Sequence, residues 1–205
     1  MREPDHSTLA RIHAAAKQEF LSHGFQQASL RSIVKQAGVT TGAFYGYYES
    51  KEALFDALVR EHYEHVMGAY KATLDAFARL PIEQQPEKMG KLSGEGMKDM
   101  LIYMIEHRDA FRLLLQCSEG TRYATMVDDA VTLEVEATHR YYAVLAQLGR
   151  PVPYIDERLE HILVTGMMNA YFEIVRHDMP LDDSMRYVEE LHDFYTAGWT
   201  KIMGQ

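Results

Sequence analysis

Between Ser29 and Lys51 the chain sets hydroxyls, cations and small side chains at short intervals. Hydroxyls and cations are the groups that hold phosphate, while contacts to base edges carry sequence information. Tyr45 and Tyr47 offer hydroxyl donors on rigid rings, and Lys51 stands where a long helix is expected to begin. A helix start adds backbone N–H groups and the positive end of a dipole, both suited to an anion. Ser29 and Thr40 are residue types that cap helix N-termini, and their hydroxyls are also placed to reach phosphates. Thr41, Gly42 and Ala43 are small enough for a helix to lie close in a major groove, where Thr and Ala methyls suit the thymine C5-methyl. Arg31 is the best candidate for base readout, direct or flanking. Phe44 and Tyr48 read as core, and Arg11 and Lys17 as solvent-facing.

The hydrophobic spacing supplies elements to position these residues. Leu9, Ile12, Ala16 and Phe20 share a helical face, capped by Ser7 and ended at His23-Gly24. Leu30, Ile33, Val34 and Ala37 make a second stripe that stops at Gly38, and Thr40 opens a brief third helix to about Tyr45. Two short helices joined at Gly38-Val39 form an α-turn-α unit, with Val39 plugging its crevice. From Glu49-Ser50 a long amphipathic helix runs to about Phe77, with Leu54, Leu58, Val66 and Tyr70 on one stripe. Further helices are expected at about 87–106, 109–118, 122–148, 155–177 and 182–203, separated at 119–120, 149–153 and 178–181. Alternating β-branched runs are almost absent, so the fold class is all-α with about nine helices. The expected domains are 1–50, a helix-turn-helix head, and 51–205, a helical body.

Composition excludes several classes. The 205 residues, 47% hydrophobic and 25% charged, are ordinary for a soluble globular protein. No stretch reaches the roughly 18 apolar residues of a membrane span, and Met1 to Ser7 lacks the apolar core of a secretory signal. One cysteine, Cys117, leaves no internal disulfide and fits a reducing cytoplasm. A net charge of −9 argues against a polyanion partner until its distribution is read. Residues 1–51 carry six basic and four acidic side chains, a net +2, and the remaining 154 carry −11. A weakly basic head on an acidic body presents one end to nucleic acid, and at +2 strong binding calls for two heads.

The run Gly42-Ala43-Phe44-Tyr45-Gly46-Tyr47-Tyr48-Glu49-Ser50-Lys51-Glu52-Ala53-Leu54-Phe55, preceded by Ser29 to Thr40, closely resembles the signature of TetR/AcrR-family transcriptional regulators. The tight resemblance covers about residues 8–55; beyond it only length and helix count agree. It implies a ligand-responsive repressor: a homodimer on a palindromic double-stranded operator, released when a small-molecule effector enters a helical body. It also implies that Tyr45, Tyr47 and Lys51 hold backbone phosphates, and that the last two helices pair with their copies in the dimer.

In the body, the final helix carries a stripe of Val188, Leu191, Tyr195, Trp199 and Ile202, and the helix before it Leu159, Ile162, Leu163, Gly166, Ala170 and Ile174. Both are expected at the dimer interface. Soft and amphipathic side chains suggest an effector pocket at Met104, His107, Phe111, Leu114, Cys117, Tyr142, His161, Met168 and Phe172, although such residues at helical spacing also build plain core. Glu136-x-x-His139 and Glu189-x-x-His192 have the spacing of di-iron carboxylate bundles, but the matching bridging glutamates are not supplied. There is no nucleophile elbow, phosphate-binding glycine loop or H-E-x-x-H pair. The expectation is therefore no enzyme, no catalytic residue, no metal and no cofactor.

Overall fold

The computed structural model describes residues 6–152 and 154–204, all helix, turn and loop, with no strand among them. The helices are α1 (His6–Gln27), α2 (Leu30–Gln36), α3 (Thr41–Tyr45), α4 (Lys51–Ala78), α5 (Gln85–Glu106), α6 (Arg108–Gln116), α7 (Met126–Gln147), α8 (Glu157–Arg176) and α9 (Leu181–Ile202), with one 3₁₀ turn at Ile82–Gln84. Residues 1–5 of the expected signal-free N-terminus and Pro153 of the 149–153 separator lie outside the described residues.

The glycine stops act as the spacing requires. Gly24 sits at φ 69° and ψ 165°, a conformation that breaks α1, after which one further turn runs to Gln27. Gly38, at φ 65°, turns the chain between α2 and α3. One expected helix starts late: residues 122–125 form turns and α7 begins at Met126. The cause is Tyr123, which is buried and donates its hydroxyl to Asp56 Oδ1 at 2.5 Å, while Arg122 pairs with the same carboxylate at 2.8 Å. Burial alone would raise the Asp56 carboxyl, but bonds from Arg60 and Tyr123 and the Arg122 charge outweigh it and hold it below its ordinary value.

The chain folds as two compact units, one built from residues up to Glu64 with His107–Ala124, the other from His65–Glu106 with residues from Thr125 on. The first unit thus reaches beyond residue 50 and includes α6. In that first unit α1 packs on α2 and on α6. Ile12, Phe20, Ile33, Phe44, Phe55 and Phe111 are wholly buried there. Phe55 meets Phe20 and Phe25 edge-on at 5.1 and 5.3 Å, an arrangement that aromatic quadrupoles favour. In the second unit α7 packs on α8, α5 on α9, and α8 on α9.

Candidate nucleic-acid interface and body cavity

α3 has only five residues, too few to hold itself in water. Two devices hold it. Phe44, its one buried residue, anchors it in the core against Tyr48. Thr40 Oγ1 accepts from the Ala43 N–H at 3.1 Å and caps its start. With Phe44 turned inward, Thr41, Gly42, Ala43 and Tyr45 all face outward. A Cβ added at Gly42 would meet nothing within 4 Å, so the protein's own packing does not require glycine there.

α2 is held from a residue that the sequence pattern did not single out. Glu19, buried on α1, accepts from Ser29 N at 2.9 Å and from Ser32 Oγ at 2.7 Å. These two bonds hold the Glu19 carboxyl below the usual carboxylate range, the Ser29 amide contributing most. The only sequence signal is a Glu ten residues before a Ser-x-x-Ser cap, a separation bridged solely by the tertiary turn at Gly24. Ser29 Oγ accepts from Ser32 N at 3.4 Å and Thr40 Oγ1 from Ala43 N, so each hydroxyl keeps its own hydrogen to donate. Arg31 and Lys35 are exposed on α2, and Tyr47 is half-buried after α3.

Lys51 departs from the role that the family resemblance implies. Its ammonium donates to the carbonyls of Phe25, Gln26 and Ala28 at 2.7, 3.3 and 3.1 Å and lies 4.5 Å from the Phe25 ring centroid. An ammonium has three donors, and all three are committed to the end of α1. The Lys51 side chain therefore clasps α1 to α4, and what α4 offers an anion is its backbone terminus, where Ser50 Oγ accepts from Ala53 N at 3.0 Å.

The expected effector residues are not brought together. His107, Phe111, Leu114 and Cys117 belong to the first unit, because α6 packs on α1. Phe25 N donates to the Cys117 carbonyl at 2.8 Å, and burial pushes the Cys117 thiol up, away from a reactive thiolate. Met104 is fully buried on α5, and His161 is exposed on α8. Tyr142 is half-buried beside His139, with burial and the Glu160 charge raising its hydroxyl. Only Met168 and Phe172 of the nine line the cavity of the second unit.

That cavity is about 150 Å³, walled by α4, α5, α7, α8 and α9. Its wall is mainly thioether and ring, including Met67, Met97, Met100, Phe77, Tyr141 and Trp199. Glu134, on α7, accepts from the hydroxyl of Tyr70, on α4. Burial raises the Glu134 carboxyl, the Tyr70 bond opposing it. Tyr171 donates to the Met97 carbonyl at 2.7 Å, and His192 Nε2 lies 3.0 Å from Ser93 Oγ and 3.3 Å from Thr196 Oγ1.

The stripe expected at the dimer interface on α9 faces this interior. Val188 is buried, and Leu191, Tyr195 and Trp199 line the cavity. The outward large apolar residues of α9 are Leu181, Tyr187 and Phe194 instead, at 45%, 40% and 72% exposure; on α8 they are Leu159 and Ile162, at 48% and 63%. Of the Glu-x-x-His pairs, Glu136 is exposed and His139 bonds to Glu160 Oε2 at 2.7 Å. Among the described residues no three His, Cys, Asp or Glu side chains converge as a metal requires, and no helix is long and apolar enough to cross a membrane.

A short outward helix fixed by one core aromatic, behind a glycine turn, defines a helix-turn-helix head on a helical body. The family model described as bacterial regulatory proteins, tetR family, matches residues 12–58. Over those residues the chain is similar to the members of that family. It is similar to the HTH-type transcriptional regulator YdgC of Bacillus subtilis, 43% identical over 56 residues, 27% of this chain and 29% of that protein. It is also similar to the HTH-type transcriptional repressor KstR2 of Mycolicibacterium smegmatis, 30% identical over 97 residues, 47% of this chain and 42% of that one. The chain thus matches less than half the length of these curated relatives. Over its whole fold it resembles a bacterial regulatory protein of the tetR family from Rhodococcus RHA1, with a TM-score of 0.55 and 20% identity over 91% of this chain and 95% of that one.

Proposed function

We propose that the protein is a ligand-responsive transcriptional repressor of the cytoplasm, a homodimer that binds a palindromic operator and is released by a small-molecule effector. The observation that carries the DNA-binding part is the outer face of α3, where Thr41, Gly42 and Ala43 are exposed and Gly42 has no packing partner to explain it. A major groove fitted to that face gives the glycine a reason. Tyr45, at 54% exposure, and the hydroxyls of Ser29 and Thr40 hold phosphates, with Tyr47 beside them and Arg31 reading bases from α2. Two heads are required because one has little net charge, and a two-fold dimer matches half-sites about one helical turn apart. The outward Leu159, Ile162 and Phe194 of α8 and α9 are the apolar surface for that pairing.

Effector control follows from the second unit's cavity. An effector weakens DNA binding only by preferring the arrangement in which the heads miss their half-sites, a coupling of about 1–3 kcal/mol. α4 is the covalent route, since it carries Tyr70 at the cavity and Leu54 and Phe55 in the core of the first unit. Selection of genomic fragments by the purified protein, followed by a screen for compounds that release the selected duplex, tests this reading. A palindromic consensus is the expected result; recovery of fragments with no shared sequence overturns it.

A further inference from the structure

We infer that the cavity of the second unit selects small lipophilic cations, protonated amines on a single ring, with Glu134 as the counter-ion. The inference rests on the effector reading above and names the ligand chemistry of that cavity.

Charge complementarity within the wall carries it. Among the described residues that line the cavity, Glu134 is the one carboxylate, and no Lys or Arg is present. An anionic ligand would meet Glu134 with nothing to offset the repulsion in a wall of rings and thioethers. A neutral ligand would leave the carboxylate with its Tyr70 bond. A carboxylate has about four acceptor sites, and Tyr70 fills one of them. His192, the imidazole of the wall, has Nε2 3.0 Å from Ser93 Oγ and 3.3 Å from Thr196 Oγ1, and its Nδ1 lies 3.5 Å from Asp193 Oδ1. Burial disfavours the charged form of Glu134, and a cation beside it reverses that preference.

The rest of the wall suits the same ligand. Tyr141, Tyr195 and Trp199 place aromatic rings in the wall, the groups whose quadrupoles attract a cation. Met67, Met97 and Met100 supply adaptable apolar contact for the hydrocarbon part. A dry apolar cavity of this size class, about 150 Å³, holds one benzene-sized ring.

Calorimetric titration of the purified protein at neutral pH with benzylamine, benzyl alcohol and benzoate separates the alternatives, because the three share a ring and differ in charge. Benzylammonium is expected to bind at least about tenfold more tightly than benzyl alcohol, with benzoate weakest. Glu134→Gln is expected to abolish that preference while benzyl alcohol affinity stays within about twofold, and Tyr70→Phe, which keeps the carboxylate, is expected to retain the preference. Benzoate binding as tightly as benzylammonium, no binding of any probe to the wild type, or a preference that survives Glu134→Gln would each overturn the inference. DNA release is followed separately by anisotropy of the selected duplex. Benzylammonium binding without release overturns the effector reading and leaves the cation preference standing. Release by other compounds, with benzylammonium unbound, overturns the cation preference alone.

Discussion

At Gly42 helix propensity and DNA contact pull in opposite directions. Glycine in an exposed helix costs roughly 0.5–1 kcal/mol relative to alanine, and a Cβ there meets nothing within 4 Å in this protein. Gly42→Ala is therefore expected to raise the melting temperature slightly while weakening operator binding at least about tenfold. Thermal denaturation and a gel-shift titration check the two signs; a variant that binds DNA unchanged removes the close-approach role. With its ammonium on three carbonyls of the α1 end, Lys51→Met is expected to cost about 1–3 kcal/mol of stability through unsatisfied backbone acceptors. Were Lys51 mainly a phosphate contact, the same variant would keep its melting temperature and lose about one unit of the salt slope of DNA affinity.

α2 and α3 are too short to form alone, and each depends on a partner outside itself. For α2 the partner is Glu19, whose bonds to Ser29 and Ser32 are made by the ionised carboxylate. Its pKa is lower folded than unfolded, so its contribution is complete above the unfolded value and is lost as pH falls through the folded one. The head is therefore expected to lose stability below about pH 4.5, and Glu19→Gln to flatten that acid loss while lowering stability at neutral pH by about 1–3 kcal/mol. Denaturant melts at several pH values measure this; an unchanged acid slope in the variant assigns the loss to other carboxylates. The elements themselves were legible, because apolar period, Ser and Thr caps and glycine stops are local properties of a chain. Glu19 was not, since nothing in its own helix distinguishes a carboxylate that reaches a cap ten residues on.

At the scale of the whole molecule the expectation is a dimer that keeps Leu159 and Ile162 of the α8 stripe on its surface but not the α9 stripe that periodicity selects. Phe194 and Ile162 are exposed while Val188, Leu191 and Trp199 turn inward. Ile162→Glu with Phe194→Glu is expected to yield a folded monomer with weak DNA binding, measured by sedimentation, whereas a dimer that survives both charges places the interface elsewhere. Sequence by itself determined the all-α class, the helix-turn-helix at Ser29 to Tyr45 and the outward small residues of α3, because capping, period and short-range turns are settled among near neighbours. Tertiary structure alone decided that Lys51 clasps the end of α1, that α6 belongs to the first unit, and that Glu134, Tyr70 and the inner face of α9 share a cavity. Each of these depends on which helix packs against which. An amphipathic stripe specifies that a face is buried and carries no information on whether it is buried by its own chain or by a second copy.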